Sequence, residues 1–445
     1  MPGTNPEQQG GSVGLSRRSF LVKAGGTGLT IAASGVLAAC GGVKKSSSSG
    51  GGDTLTIGLV TPRTGQAAGF GEVDPYILGL VREATKDGVK GGDGKTYKIQ
   101  IIPKDSQSSP QRAAEVAKGL INSDQVDLML ASSTPEVVNP VSDACEAAGV
   151  PCISTVLPWE AWYYGRGAKQ GDKAAFKYTY HFSFGVAEFG KGYFPVWNSM
   201  KTNKVVGALY PNDADGNALR AGFLPVIKEN GFKVIDAGPY NDGLNDFSAQ
   251  IAKFKKNDCQ IFNTFPLPPD FATFWRQAAQ QGYQPILPQI AKTGLFPSQV
   301  EALGKLGHGL IGTAFWVNTF PYSSSLLKKT SKELADGYEA TGKQWTQMVG
   351  STAALFDVGI AAIKAAPNPK DKAGLADTMG KLKVDTPLGH LDWTTGPVKN
   401  VVTTPLVNCQ WLKGAGKYPL DLTVVDNAAD RKVPVAAKMK AYTSF

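Results

Sequence analysis

Histidine is close to absent from this chain. There are three in 445 residues, His181, His308 and His390, and each is isolated from any cysteine, histidine or carboxylate at metal-ligand spacing. A metal centre and histidine-based catalysis both lack their usual raw material. Five cysteines include no C-x-x-C pair, which argues against a zinc site or a dithiol redox motif. Gly307-His308-Gly309-Leu310-Ile311-Gly312 matches G-x-G-x-x-G, but it precedes a predicted strand instead of following one, so the dinucleotide context is missing. Gly91-Gly92-Asp93-Gly94-Lys95 is a turn without phosphate-loop spacing. No cofactor and no enzymatic constellation are expected. The formal charge is +9, yet its lysines and arginines are scattered and form no basic block, so nucleic acid is not an expected partner.

What the N-terminus does have is an address. Ser16-Arg17-Arg18-Ser19-Phe20-Leu21-Val22-Lys23 looks like a twin-arginine export signal. The apolar stretch behind it ends in Leu37-Ala38-Ala39-Cys40, which looks like a lipobox. Ala24 to Ala39 carries Gly25, Gly26, Gly28 and Gly35, and is too short and too weakly apolar for a membrane-spanning helix, which needs about 20 residues. The expectation is that residues 1–39 are removed and that Cys40 is lipidated. Residues 40–52 then form a flexible tether, and everything beyond works outside the cytoplasm, anchored to a bacterial membrane. The alternative for Cys40, a structural thiol, is disfavoured by its Gly/Ser-rich flank. Loss of the leader leaves a net charge near +7.

From residue 53 the pattern alternates strand and helix. Strands are predicted at 54–60, 97–102, 126–131 and 151–154, with helices at 72–87, from Ser109-Pro110 onward, and at 135–148. Ser109 reads as a cap and Pro110 as first-turn proline. After an aromatic-rich interval the rhythm restarts, with strands at 204–210, 232–237, 260–265 and 285–290 and helices at 217–230, 247–256 and 270–281. A strand is predicted at 309–317, a long helical region at 323–384 and a strand-rich tail to 427. Strands separated by single helices pair in parallel. The fold class is therefore α/β, with two successive parallel sheets. Four cysteines follow Cys40. A Cys145–Cys152 bridge, a Cys259–Cys409 bridge and four buried thiols all remain open.

The order of these elements resembles the solute-binding proteins of ABC importers, specifically the branched-chain amino-acid-binding family. Ile57-Gly58-Leu59-Val60-Thr61-Pro62-Arg63-Thr64-Gly65 is similar to the family's opening strand and loop. Lys104-Asp105-Ser106 with Pro110-Gln111-Arg112-Ala113-Ala114 resembles its second strand and helix. Glu146-Ala147-Ala148-Gly149-Val150-Pro151-Cys152-Ile153-Ser154 is similar to E-x-x-G-V-P-x-I-S. Asp246-Phe247-Ser248-Ala249-Gln250-Ile251 and Arg276-Gln277-Ala278 with Gln281-Gly282 resemble second-half helices. The resemblance covers about residues 54–425. It implies two Rossmann-like lobes joined by a three-strand hinge, the type I periplasmic binding protein fold. The expected division is residues 53–183 with 313–387 in the first lobe, 184–312 with 388–427 in the second, and a tail from 428 to 445.

The resemblance also implies where a solute sits. Ser132, Ser133 and Thr134 after the third strand, and Ser154 and Thr155 after the fourth, match loops that hold a ligand carboxylate. Hydroxyls and backbone amides at strand ends suit an anion. A plain helix cap would need the same residues. In the second lobe, the family's amino-acid binders place an acidic residue after the last strand. Here that stretch is Pro288-Gln289-Ile290-Ala291-Lys292-Thr293, with Lys292 and no carboxylate. Asp213 or Asp215 is a weaker substitute. Phe70, Trp159, Tyr210, Phe265 and Trp316 are candidates for an apolar wall, although the aromatics around Pro158–Tyr164 could equally pack at a hinge. The preferred solute is an amine-free apolar or aromatic carboxylate, with an amino acid as the other choice. The expected partners are that solute and the permease subunits of an importer, with the protein itself a monomer. The competing classes are the ligand-sensing part of a signalling system, which would usually continue beyond residue 445 into a membrane helix, and an exported enzyme.

Overall fold

The computed structural model describes residues 54–172 and 174–442. The leader, Cys40 and the 40–52 tether lie outside the described residues. The first sheet opens with β1 (Thr54–Thr61), β2 (Val89–Lys90), β3 (Thr96–Asp105), β4 (Leu128–Ser132), β5 (Cys152–Thr155) and β6 (Thr179–Ser183). Between and after these run α1 (Asp74–Ala84), α2 (Pro110–Asn122), α3 (Pro135–Ala148), α4 (Trp159–Tyr163) and α5 (Val186–Asn198). The second sheet holds β7 (Val205–Leu209), β8 (Lys233–Asp236), β9 (Ile261–Thr264), β10 (Leu287–Ile290) and β11 (Ile311–Ala314). Its helices are α6 (Ala214–Glu229), α7 (Ser248–Lys256), α8 (Pro268–Gln280) and α9 (Pro297–Glu301). Then come α10 (Ser331–Glu339), α11 (Met348–Ala365), α12 (Lys372–Met379), a hairpin of β12 (Lys383–Thr386) and β13 (Gly389–Asp392), and the strands β14 (Val401–Thr403), β15 (Val407–Lys413) and β16 (Leu420–Asp426).

The two sheets have the orders β14-β6-β5-β4-β1-β3-β2 and β16-β15-β11-β10-β9-β7-β8. Their centres are parallel, and antiparallel pairs occur only at edges, β2 on β3 and β15 with β11 and β16. Every residue of β4 and β5 is buried, the mark of a parallel strand covered by helices on both faces. The predicted cap is present: the Ser109 side chain accepts a hydrogen bond from the Arg112 amide, with Pro110 in the first turn.

The chain passes between the sheets three times. The first passage leaves β6 through Phe184 and Gly185 into α5. The second leaves β11 through Phe315 and Trp316 towards α10. The third joins β14 to β15 through Thr404–Leu406. At Gly185 a Cβ would lie 2.2 Å from Trp159 Nε1, so glycine lets the passage press against that ring.

Several expectations need correcting. The 323–384 region is three helices, not one long helical run. α11 ends at the extended residue Ala366 because Pro367 follows. β6 and α5 went unseen inside the aromatic-rich interval, although Thr179-Tyr180-His181-Phe182-Ser183 alternates polar and aromatic residues with the period of a strand. β14, from the 388–427 segment, pairs with β6 in the first sheet. α11 is apolar on all sides because it is buried on nearly all of them. Cys145, Cys152, Cys259 and Cys409 are free and buried.

Candidate functional site

A small cavity, about 40 Å³, lies between the two sheets, room for a few waters. One wall is built where β4 and β5 end. Ser132 closes β4. Ser133 follows with φ of 141°, and Val156, just past β5, has φ of 87°. A positive φ is unusual for serine and an outlier for a β-branched residue. Both line the cavity, and strain of this kind concentrates at ligand-holding sites. The Ser132 and Ser133 hydroxyls are buried without a hydrogen-bond partner. Thr134 also lines the cavity and is the N-cap of α3, yet its side chain makes no cap bond. Free hydroxyls at the N-terminus of a fourteen-residue helix offer donors to an anion, and the helix dipole adds to them.

Ser154 and Thr155 do not join this group. The Leu157 carbonyl can only accept, so His181 Nε2, 3.0 Å away, carries the ring proton. Nδ1 then accepts from the Ser154 hydroxyl at 2.9 Å. Burial lowers the His181 pKa to about 3, which keeps the ring neutral. Thr155 Oγ1 donates to the Phe182 carbonyl at 2.7 Å. Both hydroxyls tie β5 to β6.

The remaining wall is aromatic. Phe70, Phe184, Phe189, Phe265 and Phe315 line the cavity. Phe184 and Phe315 stack across the first two passages with centroids 5.6 Å apart, and Phe189 meets Phe265 edge-on at 5.3 Å. Of the predicted aromatics, Phe70 and Phe265 reach the cavity and three do not line it. Tyr210 is buried behind Phe265, its hydroxyl on Asn263 Oδ1. Trp159 packs against Gly185 and the Tyr163 and Tyr164 rings. Trp316 is fully buried, donating to Ser331 Oγ at 3.0 Å. The second passage delivers Phe315 instead, one residue earlier.

The far end is charged. Lys292 lines the cavity, and so does Asp215. Lys292 Nζ lies 2.9 Å from Asp215 and 3.0 Å from Asp213. Asp213 also caps α6 by accepting from the Gly216 amide. Burial alone would lower the Lys292 pKa, but Asp213 and Asp215, with Glu136 beyond them, reverse this and hold it well above the ordinary lysine value. Burial pushes Asp215 up to about 7 against the pull of Lys292. As expected, the segment after β10 brings no carboxylate; the acids at this end are Asp213 and Asp215 at the start of α6, which the sequence offered only as weaker substitutes. A signal for them was the Asp213-Ala214-Asp215-Gly216 run just beyond β7, a capped helix start at a strand's carboxyl end.

An α/β pair of sheets with a cavity at their carboxyl ends defines a class of ligand receptors. The family profile described as periplasmic binding protein matches residues 54–415, and the chain belongs to that family. A Leu/Ile/Val-binding protein homolog 2 from Brucella abortus is 25% identical over 382 residues, 82% of this chain and 92% of the relative. The leucine-binding protein LivK of Thermotoga maritima superposes with a TM-score of 0.68 at 18% identity, over 84% of this chain and 99% of its own. A solute-binding protein of an ABC transporter from Rhodopseudomonas palustris, in complex with 3,4-dihydroxybenzoic acid, gives 0.65 at 19% identity, over 85% and 99%. The chain is thus a periplasmic binding protein and not an enzyme.

Proposed function

We propose that this protein is an extracytoplasmic lipoprotein that captures a small amphipathic carboxylate between two closing lobes and presents it to an importer's permease. The observation that carries this reading is the pairing of the unpartnered Ser133 hydroxyl, in the cavity lining just before α3, with a wall of five phenylalanine rings; Ser132, closing β4, does not line the cavity. Hydroxyls and helix dipole receive the carboxylate, and the rings receive an apolar body at little rotamer cost. A cavity of about 40 Å³ is too small as it stands for a solute of amino-acid size, which supports capture by opening and closing about the three passages. Relatives whose names or bound ligands point to branched-chain amino acids and to an aromatic acid fit the same two-ended chemistry. The twin-arginine and lipobox patterns supply the export route and the Cys40 anchor.

A thermal-shift screen tests the reading. Small carboxylates with apolar bodies, amino acids and their deaminated or aromatic counterparts among them, should raise the melting temperature with concentration. A screen in which sugars or polyamines stabilise and no carboxylate does would overturn it.

A further inference from the structure

A second, larger pocket opens on the other side of the cavity's phenylalanine wall. Its volume is about 410 Å³, against about 40 Å³ inside, and ligand pockets generally occupy about 300–1,000 Å³. The two spaces share a partition. From the first half of the molecule, Phe70 lines the inner cavity while its neighbours Gly69 and Gly71 line the outer pocket. From the second half, Leu295 lines the inner space and Phe296 the outer. The Phe70 and Phe296 rings meet edge-on, with centroids 5.0 Å apart. A Cβ at Gly69 would lie 2.8 Å from the Phe296 ring, so glycine lets the loop close on it.

The outer pocket is polar. Gln66, Ser298 and Gln299 line it, together with the charged Arg63, Glu72 and Lys343. Lys343 Nζ lies 2.8 Å from Glu72 Oε1, so those two charges offset each other. Arg63 has no such ion pair among the described residues. Asp74 feels its field but is buried and accepts from the Thr61 hydroxyl. Asp105 accepts from the Arg63 and Thr64 amides and the Thr64 hydroxyl, which fixes the base of the loop that carries the guanidinium. A guanidinium held at the edge of a polar pocket is matched to a carboxylate.

We infer that the outer pocket is a second anion subsite and that the solute is an elongated dicarboxylate, with one carboxylate at Ser133 and Thr134, its apolar body running between Phe70 and Phe296, and the other carboxylate on Arg63. This rests on the carboxylate reading of the inner site above and narrows the solute class. A solute that runs through the partition places only its head in the small inner space. Its tail lies where there is room and an uncompensated positive charge.

Calorimetry on the full chain with two matched pairs tests this: terephthalate against benzoate, and adipate against hexanoate. The dicarboxylate of at least one pair should bind about 5- to 20-fold tighter at low salt. Because Arg63 is exposed, that advantage should shrink in about 0.5 M salt. Arg63→Gln alters an exposed side chain and keeps the fold, and in it the members of each pair should bind within about twofold of each other. Equal affinity within both wild-type pairs overturns the outer subsite and leaves the inner carboxylate site standing. An advantage that survives Arg63→Gln, or that salt leaves unchanged, also overturns it. Failure of all four acids to bind overturns the carboxylate reading itself, and this inference with it.

Discussion

Glu136, in the first turn of α3, accepts a hydrogen bond at 3.1 Å from the Ala214 amide at the start of α6. The two helices follow strands of different sheets, so the bond crosses the cleft. Ala214 N–H is one of the orphan donors of a helix N-terminus, and the carboxylate that satisfies it comes from the opposite half. Glu136 also contributes to the field that holds Lys292 protonated. Such a contact exists only when the halves are together. Replacing Glu136 by alanine should therefore speed solute release roughly fivefold, the effect of about 1 kcal/mol, with little change in the association rate. Stopped-flow fluorescence separates the two rates. Slower association with unchanged release would place the residue outside the closing contact.

Ser133 and Ser154 are adjacent in the logic of the sequence and different in the structure. The Ser133 hydroxyl has no protein partner, so Ser133→Ala should leave the melting temperature within about 1 °C and weaken carboxylate binding about tenfold. Ser154 holds the neutral His181 ring. Ser154→Ala should lower stability by about 1–3 kcal/mol by leaving a buried acceptor unpaired, with affinity changed less than in Ser133→Ala. Calorimetric melts and titrations on both variants check the pair.

Acidity should stabilise this protein over part of its range. Burial raises Asp74 to about 6 and Glu160, Asp215 and Asp357 to about 7. The unfolded chain releases those protons near pH 4, while the folded chain keeps them to pH 6–7. Between these limits the native state binds more protons, so its stability falls as pH rises and levels off above about 7.5. His181, lowered to about 3, acts in the opposite sense below its unfolded pKa of about 6.5. Burial lowers His308 as well, and raises Asp242 to about 6, so two histidines stand against five carboxylates. The melting temperature should rise on going from pH 8 to about 5.5; a monotonic fall over that interval would contradict these shifts.

Cys40 gives a covalent test of the export reading. The mature protein isolated from membranes should begin at Cys40 with diacylglycerol on its sulfur, measurable by mass spectrometry of the N-terminal peptide. Cys40→Ser should appear in the soluble extracytoplasmic fraction. An unmodified mature N-terminus elsewhere would remove the anchor from the account.

Much of the fold was legible because its signals are local. The 135–148 helix was delimited by Pro135 at its first position and the left-handed Gly149 after its last. Strands β1, β4 and β9 stood out as short buried apolar runs between turn signals. β6 was missed although its Thr-Tyr-His-Phe-Ser run alternates; the aromatic residues on either side masked its ends. β14 was hidden because a three-residue edge strand is defined by its partner 220 residues away. The site was half legible. Ser133, Thr134, Phe70, Phe265 and Lys292, which line the cavity, were singled out through the resemblance of their loops to the family's. Asp215 was rated only a weaker substitute because its pairing with Lys292, 77 positions on in the chain, is not visible locally, and Phe315 was missed because nothing local decides which of two adjacent aromatics turns inward at a passage between sheets.

The most direct measurement is a crystal structure of the protein with a bound small carboxylate. It should place the carboxylate against Ser133 and Thr134, the apolar body among Phe70, Phe265 and Phe315, and the two sheets closed over it. A solute seated outside that space, or held there with its carboxylate turned away from the α3 N-terminus, would contradict the account.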